Sequence, residues 1–82
     1  MTDERTLKER AHGVDATLRV GKSGIESVSE ELERQLRDRE LVKVKFLRAA
    51  RGDGTTDELA DRLADRASAE LVETRGNTAT YH

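Results

Sequence analysis

Four consecutive residues, Gly21-Lys22-Ser23-Gly24, have the types and spacing needed to hold an anion. Two glycines let the backbone turn sharply and approach a ligand without an intervening Cβ. A helix beginning near Ile25 would add amides that lack intrahelical acceptors, together with the positive end of the helix dipole. Lys22 would bring a mobile cation to the same place. The anion that suits this arrangement best is a phosphate of a nucleic-acid backbone. The motif is short, and an ordinary strand-to-helix turn with a solvated lysine has the same letters.

A nucleotide-binding P-loop is excluded: it needs a glycine five residues before Gly21, and Ala16 stands there. The run from Val20 to Val28 imitates the KH signature, but a KH loop joins two helices and the segment before Gly21 reads as a strand. Three further cations share the pattern. Lys43 and Lys45 alternate with Val42, Val44 and Phe46, and Arg19 lies between Leu18 and Val20. With side chains alternating across a strand, all three would point away from the apolar face and share one open sheet surface. Solvation of an exposed strand is the plainer role for the same lysines.

The other chemistry-bearing types lead nowhere comparable. His12 and His82 stand alone at a helix end and at the C-terminus and read as surface groups, not metal ligands, and cysteine is absent. Asp57, Asp61 and Asp65 recur every four residues along one polar face, whereas a divalent cation wants ligands converging from several elements. No serine has a plausible histidine partner, so catalysis has no visible carrier. The expectation is a protein that is not an enzyme and has no cofactor or metal.

The positioning elements follow from periodicity. Thr2 to about His12 predicts a short helix ended by Gly13, with Leu7 and Ala11 toward the core. Thr17 to Val20 predicts a strand. Ile25, Val28, Leu32 and Leu36 recur at helical spacing, with Glu30–Arg34 and Glu33–Arg37 pairs on the opposite side. Leu41 to Leu47 predicts a half-buried strand, and Arg51-Gly52-Asp53-Gly54 a turn. Thr55 or Thr56 would cap a third helix striped by Leu59, Ala60, Leu63, Ala64 and Ala67. Glu70–Thr74 and Thr78–Tyr81 would close the chain as a hairpin around Arg75-Gly76-Asn77. The fold class is α/β (α+β), in the order helix, strand, helix, strand, helix, strand, strand, with helices packed on a four-stranded mixed sheet.

Eighty-two residues make one small domain, spanning 1–82. Nine Leu and six Val against one Phe and one Tyr can build an aliphatic core but no base-stacking platform, which argues against RRM-type or OB-type recognition. No apolar run has the length of a signal or membrane segment. Lack of cysteine fits a reducing cytoplasm. Net charge is −2, which argues against an indiscriminate polyanion binder. Its distribution is uneven: Ala16–Arg48 carries net +2, and Asp53–Glu73 carries net −5. One part could therefore meet a polyanion while the other stays in solvent. Eleven Arg against four Lys among many carboxylates suggests a GC-rich genome and a high-salt, halophilic archaeal cytoplasm.

Together, Leu18 to Ile25, the Val28/Leu32/Leu36 helix and Glu40 to Phe46 resemble the CRM domain (chloroplast RNA splicing and ribosome maturation) in its stand-alone, prokaryotic YhbY-like form. The likeness extends from the leading helix to the closing strands that end in Tyr81. It implies helices on one side of a four-stranded sheet, and RNA binding through the glycine loop and nearby basic side chains. It further implies association with ribosomal RNA or a large-subunit precursor during ribosome assembly. Gly21, Lys22, Ser23 and Gly24 match the family loop, and Lys43 and Lys45 match its lysine-flanked strand. With Arg19 these form the expected RNA-binding set. The acidic third helix departs from the family pattern. The resulting expectation is a monomeric cytoplasmic protein with RNA, and neither DNA nor membrane, as its partner. The competing reading is a small protein-interaction adaptor working through the acidic third helix, which a discontinuous basic patch would favour.

Overall fold

The computed structural model describes residues 4–50 and 54–82, and it contains three helices and four strands in the expected order. They are α1 (Glu4–Ala11), β1 (Ala16–Val20), α2 (Glu26–Asp38), β2 (Val42–Phe46), α3 (Thr56–Ala67), β3 (Leu71–Arg75) and β4 (Thr78–Tyr81). The side chain of Leu7 and the Arg51-Gly52-Asp53 part of the expected turn lie outside the described residues.

The sheet order is β1-β2-β4-β3, with β1 parallel to β2 and the other two pairings antiparallel. Parallel neighbours require a crossover, and α2 supplies it, so its N-terminus lies at the end of the sheet where β1 and β2 finish. The β3–β4 hairpin turn reaches the same end, because Lys45 pairs with Thr78 and Phe46 N–H donates to Asn77 O at 2.7 Å. Gly76 has φ +60°, the left-handed conformation that this tight turn demands and glycine adopts freely.

One face of the sheet is apolar because the alternation makes it so. Val42, Val44 and Phe46 are buried with Leu18, Val20, Ala79 and Tyr81. Against them pack Ile25 and Leu32 of the α2 side, and Leu59, Ala60, Leu63 and Ala67 of α3. The Tyr81 hydroxyl donates to Ala60 O at 2.8 Å, which satisfies a phenol in an otherwise apolar layer. Burial, and secondarily the charge of Asp61, hold that phenol well above its usual pKa. Removal of the Phe46 ring from this core would cost about 3–5 kcal/mol, much of the stability of a domain this small.

The helices do not form a single layer. His12, just after α1, meets Glu73 at 3.1 Å, and Glu73 pairs through Thr80 with Lys43, which places it on the face opposite Tyr81. α1 therefore packs on β3 from the far side, and Thr80 beneath that corner is only 1% exposed. Leu41, Val72 and Val14 make a small second cluster, with Val72 sitting where the β3 register shifts between Leu71 and Glu73. An extra residue in an edge strand re-aims a side chain, and Val72 uses that to reach the second cluster. Within α2, Arg34 pairs with Glu31 at 2.9 Å and not with the expected Glu30, and no ion pair joins Glu33 to Arg37 among the described residues. Such exposed pairs contribute little in either register.

Candidate nucleic-acid interface

Gly21 through Gly24 form a tight turn closed by a hydrogen bond from Gly24 N–H to Gly21 O at 3.0 Å. Lys22 and Ser23 occupy its exposed corner. The two glycines have different reasons to be there. Gly24 has φ +83°, where an L side chain is strained, and a Cβ there would meet nothing within 4 Å. Its backbone faces open space. Gly21 shows no left-handed φ, and a Cβ there would lie 3.7 Å from Leu47 Cδ1, an ordinary contact.

The helix entered from this turn is left uncapped. Ile25 holds the N-cap position in helical geometry (φ −69°, ψ −25°) and has no side chain able to cap. Ser27 turns its hydroxyl back as a donor to Gly24 O at 2.9 Å, so it satisfies no amide. Among the described residues the Glu26 and Ser27 amides have no acceptor. Bare amides, a positive dipole end and the Lys22 ammonium thus converge on one turn. Glu26 in the first turn is answered by Arg66 of α3 at 2.8 Å.

The strand cations lie at the same end of the sheet, on its open face. Arg19 pairs with Lys45, Lys45 with Thr78, and Thr78 with Arg75. Directly paired residues share a face, so these four side chains form one row across all four strands, opposite α2 and α3. Strands lie about 4.8 Å apart, so the row spans roughly 14 Å. Arg19 and Arg75 are exposed, and Lys45 and Thr78 are half-buried. Lys43 lies one row farther from the loop, beside the buried Thr80 and the corner that α1 covers. Of the seven residues expected from the sequence, six therefore gather at the loop end and Lys43 stands back.

The sequence reading missed Arg75 and Thr78, although β-alternation on either side of Gly76 could have placed both on this face. It also missed Arg62 and Arg66, because the net charge of α3 concealed them. Their spacing of four, in phase with Leu59, aims them at a cleft of about 490 Å³ that Ser23 and Gly24 also line. Among the described residues no group of three or more His, Asp or Glu side chains is placed to hold a metal ion. No helix is long and apolar enough to cross a membrane.

These features define a small α/β domain with an anion-receptive turn at the carboxyl end of a parallel strand pair. The model of the CRS1 / YhbY (CRM) domain family matches residues 2–82, and the chain belongs to that family. It is 39% identical over 77 residues to "Probable RNA-binding protein MJ0652" of Methanocaldococcus jannaschii, covering 94% of this chain and 58% of that protein. The chain thus spans little more than half the length of that relative. It is 36% identical over 80 residues to "Probable RNA-binding protein PA4753" of Pseudomonas aeruginosa, covering 96% of this chain and 75% of that protein. Its fold matches the solution structure of SAV1595 from Staphylococcus aureus with a TM-score of 0.76 and 32% identity, over 96% of this chain and 81% of that one.

Proposed function

We propose that this domain binds RNA without catalysing a reaction, and that its target is ribosomal RNA or a precursor of the large ribosomal subunit. The observation that carries the reading is the uncapped start of α2, where the Glu26 and Ser27 amides lie unpaired beside Gly24 and Lys22. Those amides and Lys22 clamp one phosphate. Arg19, Lys45 and Arg75 extend the contact across the sheet, and Lys43 adds a weaker one. Phosphate contacts of this kind set register and affinity but read no bases. The names of the archaeal and pseudomonad relatives support the same partner class.

The adaptor reading is disfavoured, because Arg19, Lys45 and Arg75 share one register row with the neutral Thr78, and the first two acids of α3 have local roles. Asp57 accepts from Thr74 Oγ1 at 2.7 Å, and with Glu58 it occupies the first turn, where the dipole favours negative charge. Sequencing of RNA crosslinked to the protein in cells tests the proposal. Enrichment of large-subunit ribosomal RNA, with crosslinked peptides covering residues 19–26, is expected. Recovered RNA matching the total pool would overturn the ribosomal assignment, and recovery of no RNA would overturn RNA binding itself.

A further inference from the structure

The cleft beside the glycine turn has the construction of a base pocket. Its floor is apolar: Val20, Ile25, Ala50 and Leu59 line it and are each no more than 8% exposed. Its volume of about 490 Å³ lies within the range of sites that hold small organic groups. Four charged side chains stand around the opening. Glu26 and Arg66 neutralise each other at 2.8 Å and bridge α2 to α3. Arg62 and the Asp65 carboxylate are exposed and have no partner among the described residues. One guanidinium and one carboxylate without partners among the described residues therefore line an apolar slot together with Ser23 and Gly24 of the turn.

We propose that this cleft receives one unpaired guanine of a single-stranded RNA segment whose backbone phosphate lies on the Gly21–Gly24 turn. The inference rests on the RNA-binding reading and adds base recognition to it. A carboxylate can accept two hydrogen bonds at once from adjacent donors, and the guanine Watson–Crick edge offers N1–H beside its N2 amine. A guanidinium forks onto adjacent acceptors, and guanine offers O6 and N7. No other RNA base presents both pairs. Uracil sets two carbonyls around its one N–H and would turn an acceptor toward Asp65. The apolar floor takes the face of the base, so no aromatic platform is needed. Phosphate contacts then supply affinity, and Asp65 and Arg62 supply preference.

Fluorescence anisotropy with labelled 12-nucleotide RNAs tests this, using all-uridine and the same strand with one central guanosine. The parent protein should bind the guanosine strand at least about tenfold more tightly, the discrimination expected of even one of its two bidentate base contacts. Replacing that guanosine by inosine, which lacks the N2 amine, should lose most of the gain. Asp65→Asn and Arg62→Gln should each bring the guanosine-to-uridine ratio close to one. Lys22→Ala should weaken both strands alike and leave the ratio intact. A parent protein that binds both strands equally would overturn the pocket while leaving the phosphate reading in place, as would a ratio unchanged in Asp65→Asn. Tightest binding to a strand with a central adenosine or cytidine would overturn the guanine assignment. Absence of binding to either strand would overturn the RNA reading and the pocket with it.

Discussion

Two strands of this sheet run into helices at the same end of the molecule, and the two junctions are built in opposite ways. At the start of α3, Thr55 is extended (φ −79°, ψ 164°), and its hydroxyl accepts from Glu58 N–H at 3.2 Å. Its carbonyl accepts from Leu59 N–H at 3.0 Å, and Asp57 and Glu58 place carboxylates at the positive end of the dipole. At the start of α2 the cap position holds an isoleucine, the nearby serine donates where a cap would accept, and a lysine and two glycines precede it. A helix terminus that satisfies itself contributes to folding, whereas one left open forgoes about 1 kcal/mol of capping and keeps its amides for something else. On the proposed reading, the anion site is specified as much by what is omitted at Ile25 as by what is present at Gly24.

The largest effect is expected from Gly24→Asp. It sets a carboxylate where the proposed reading puts a phosphate, and such like-charge contact costs several kcal/mol, or about 100-fold or more in RNA affinity. The left-handed φ of +83° adds a stability cost that Gly24→Asn shares without the charge. Anisotropy should therefore find Gly24→Asn within a few-fold of the parent and Gly24→Asp nearly inert. Equal loss in both would mean that turn geometry, and not phosphate, had been disturbed.

Thr55→Ala should do the converse at the other junction. Loss of this cap should cost about 1 kcal/mol, shifting the thermal midpoint by roughly 4–8 °C, with RNA affinity unchanged. Tyr81 further tests the view that α3 is a structural element. Its folded pKa is raised, so the folded state keeps a proton that the unfolded chain releases near pH 10. Stability from this phenol is complete below that value and is lost as pH climbs beyond it. Thermal melts should fall steeply above pH 10, and Tyr81→Phe should flatten that decline while costing about 1 kcal/mol at pH 7.

The smallest effects belong to the strand lysines. Lys45→Ala and Lys43→Ala should each leave stability within about 0.5 kcal/mol. Each phosphate contact contributes about −0.7 to the log–log salt slope on single strands. Three to five contacts give roughly −2 to −3.5 for the parent, and Lys45→Ala should lose about 0.7 of that while Lys43→Ala loses less. A parent slope steeper than about −6 would mean a far more basic face than this row provides.

Much of this was legible in the sequence, because the signals were local. The Val42/Val44/Phe46 alternation and the Ile25–Leu36 stripe depend only on neighbours along the chain, and the strand and helix they imply are present within a residue or two. What the sequence could not supply was adjacency across strands. Arg75 lies 56 residues after Arg19, and only the order β1-β2-β4-β3 puts the two in one row. For the same reason α1 was not separable from the other helices: its length and stripe are ordinary, and its side of the sheet shows only in long-range contacts such as His12–Glu73. Arg62 and Arg66 were hidden by averaging, since a net-acidic helix can still aim its two cations at one cleft.

Amide chemical shifts report on both junctions at once, so an NMR titration of the ¹⁵N-labelled protein with a single-stranded RNA bears most directly on the claim that the open helix start is the phosphate site. The Glu26 and Ser27 amides should show the largest downfield shifts, saturating with the RNA, while those of Thr56 to Glu58 stay in place. Shifts centred on α3, or spread evenly over both helix starts, would contradict it.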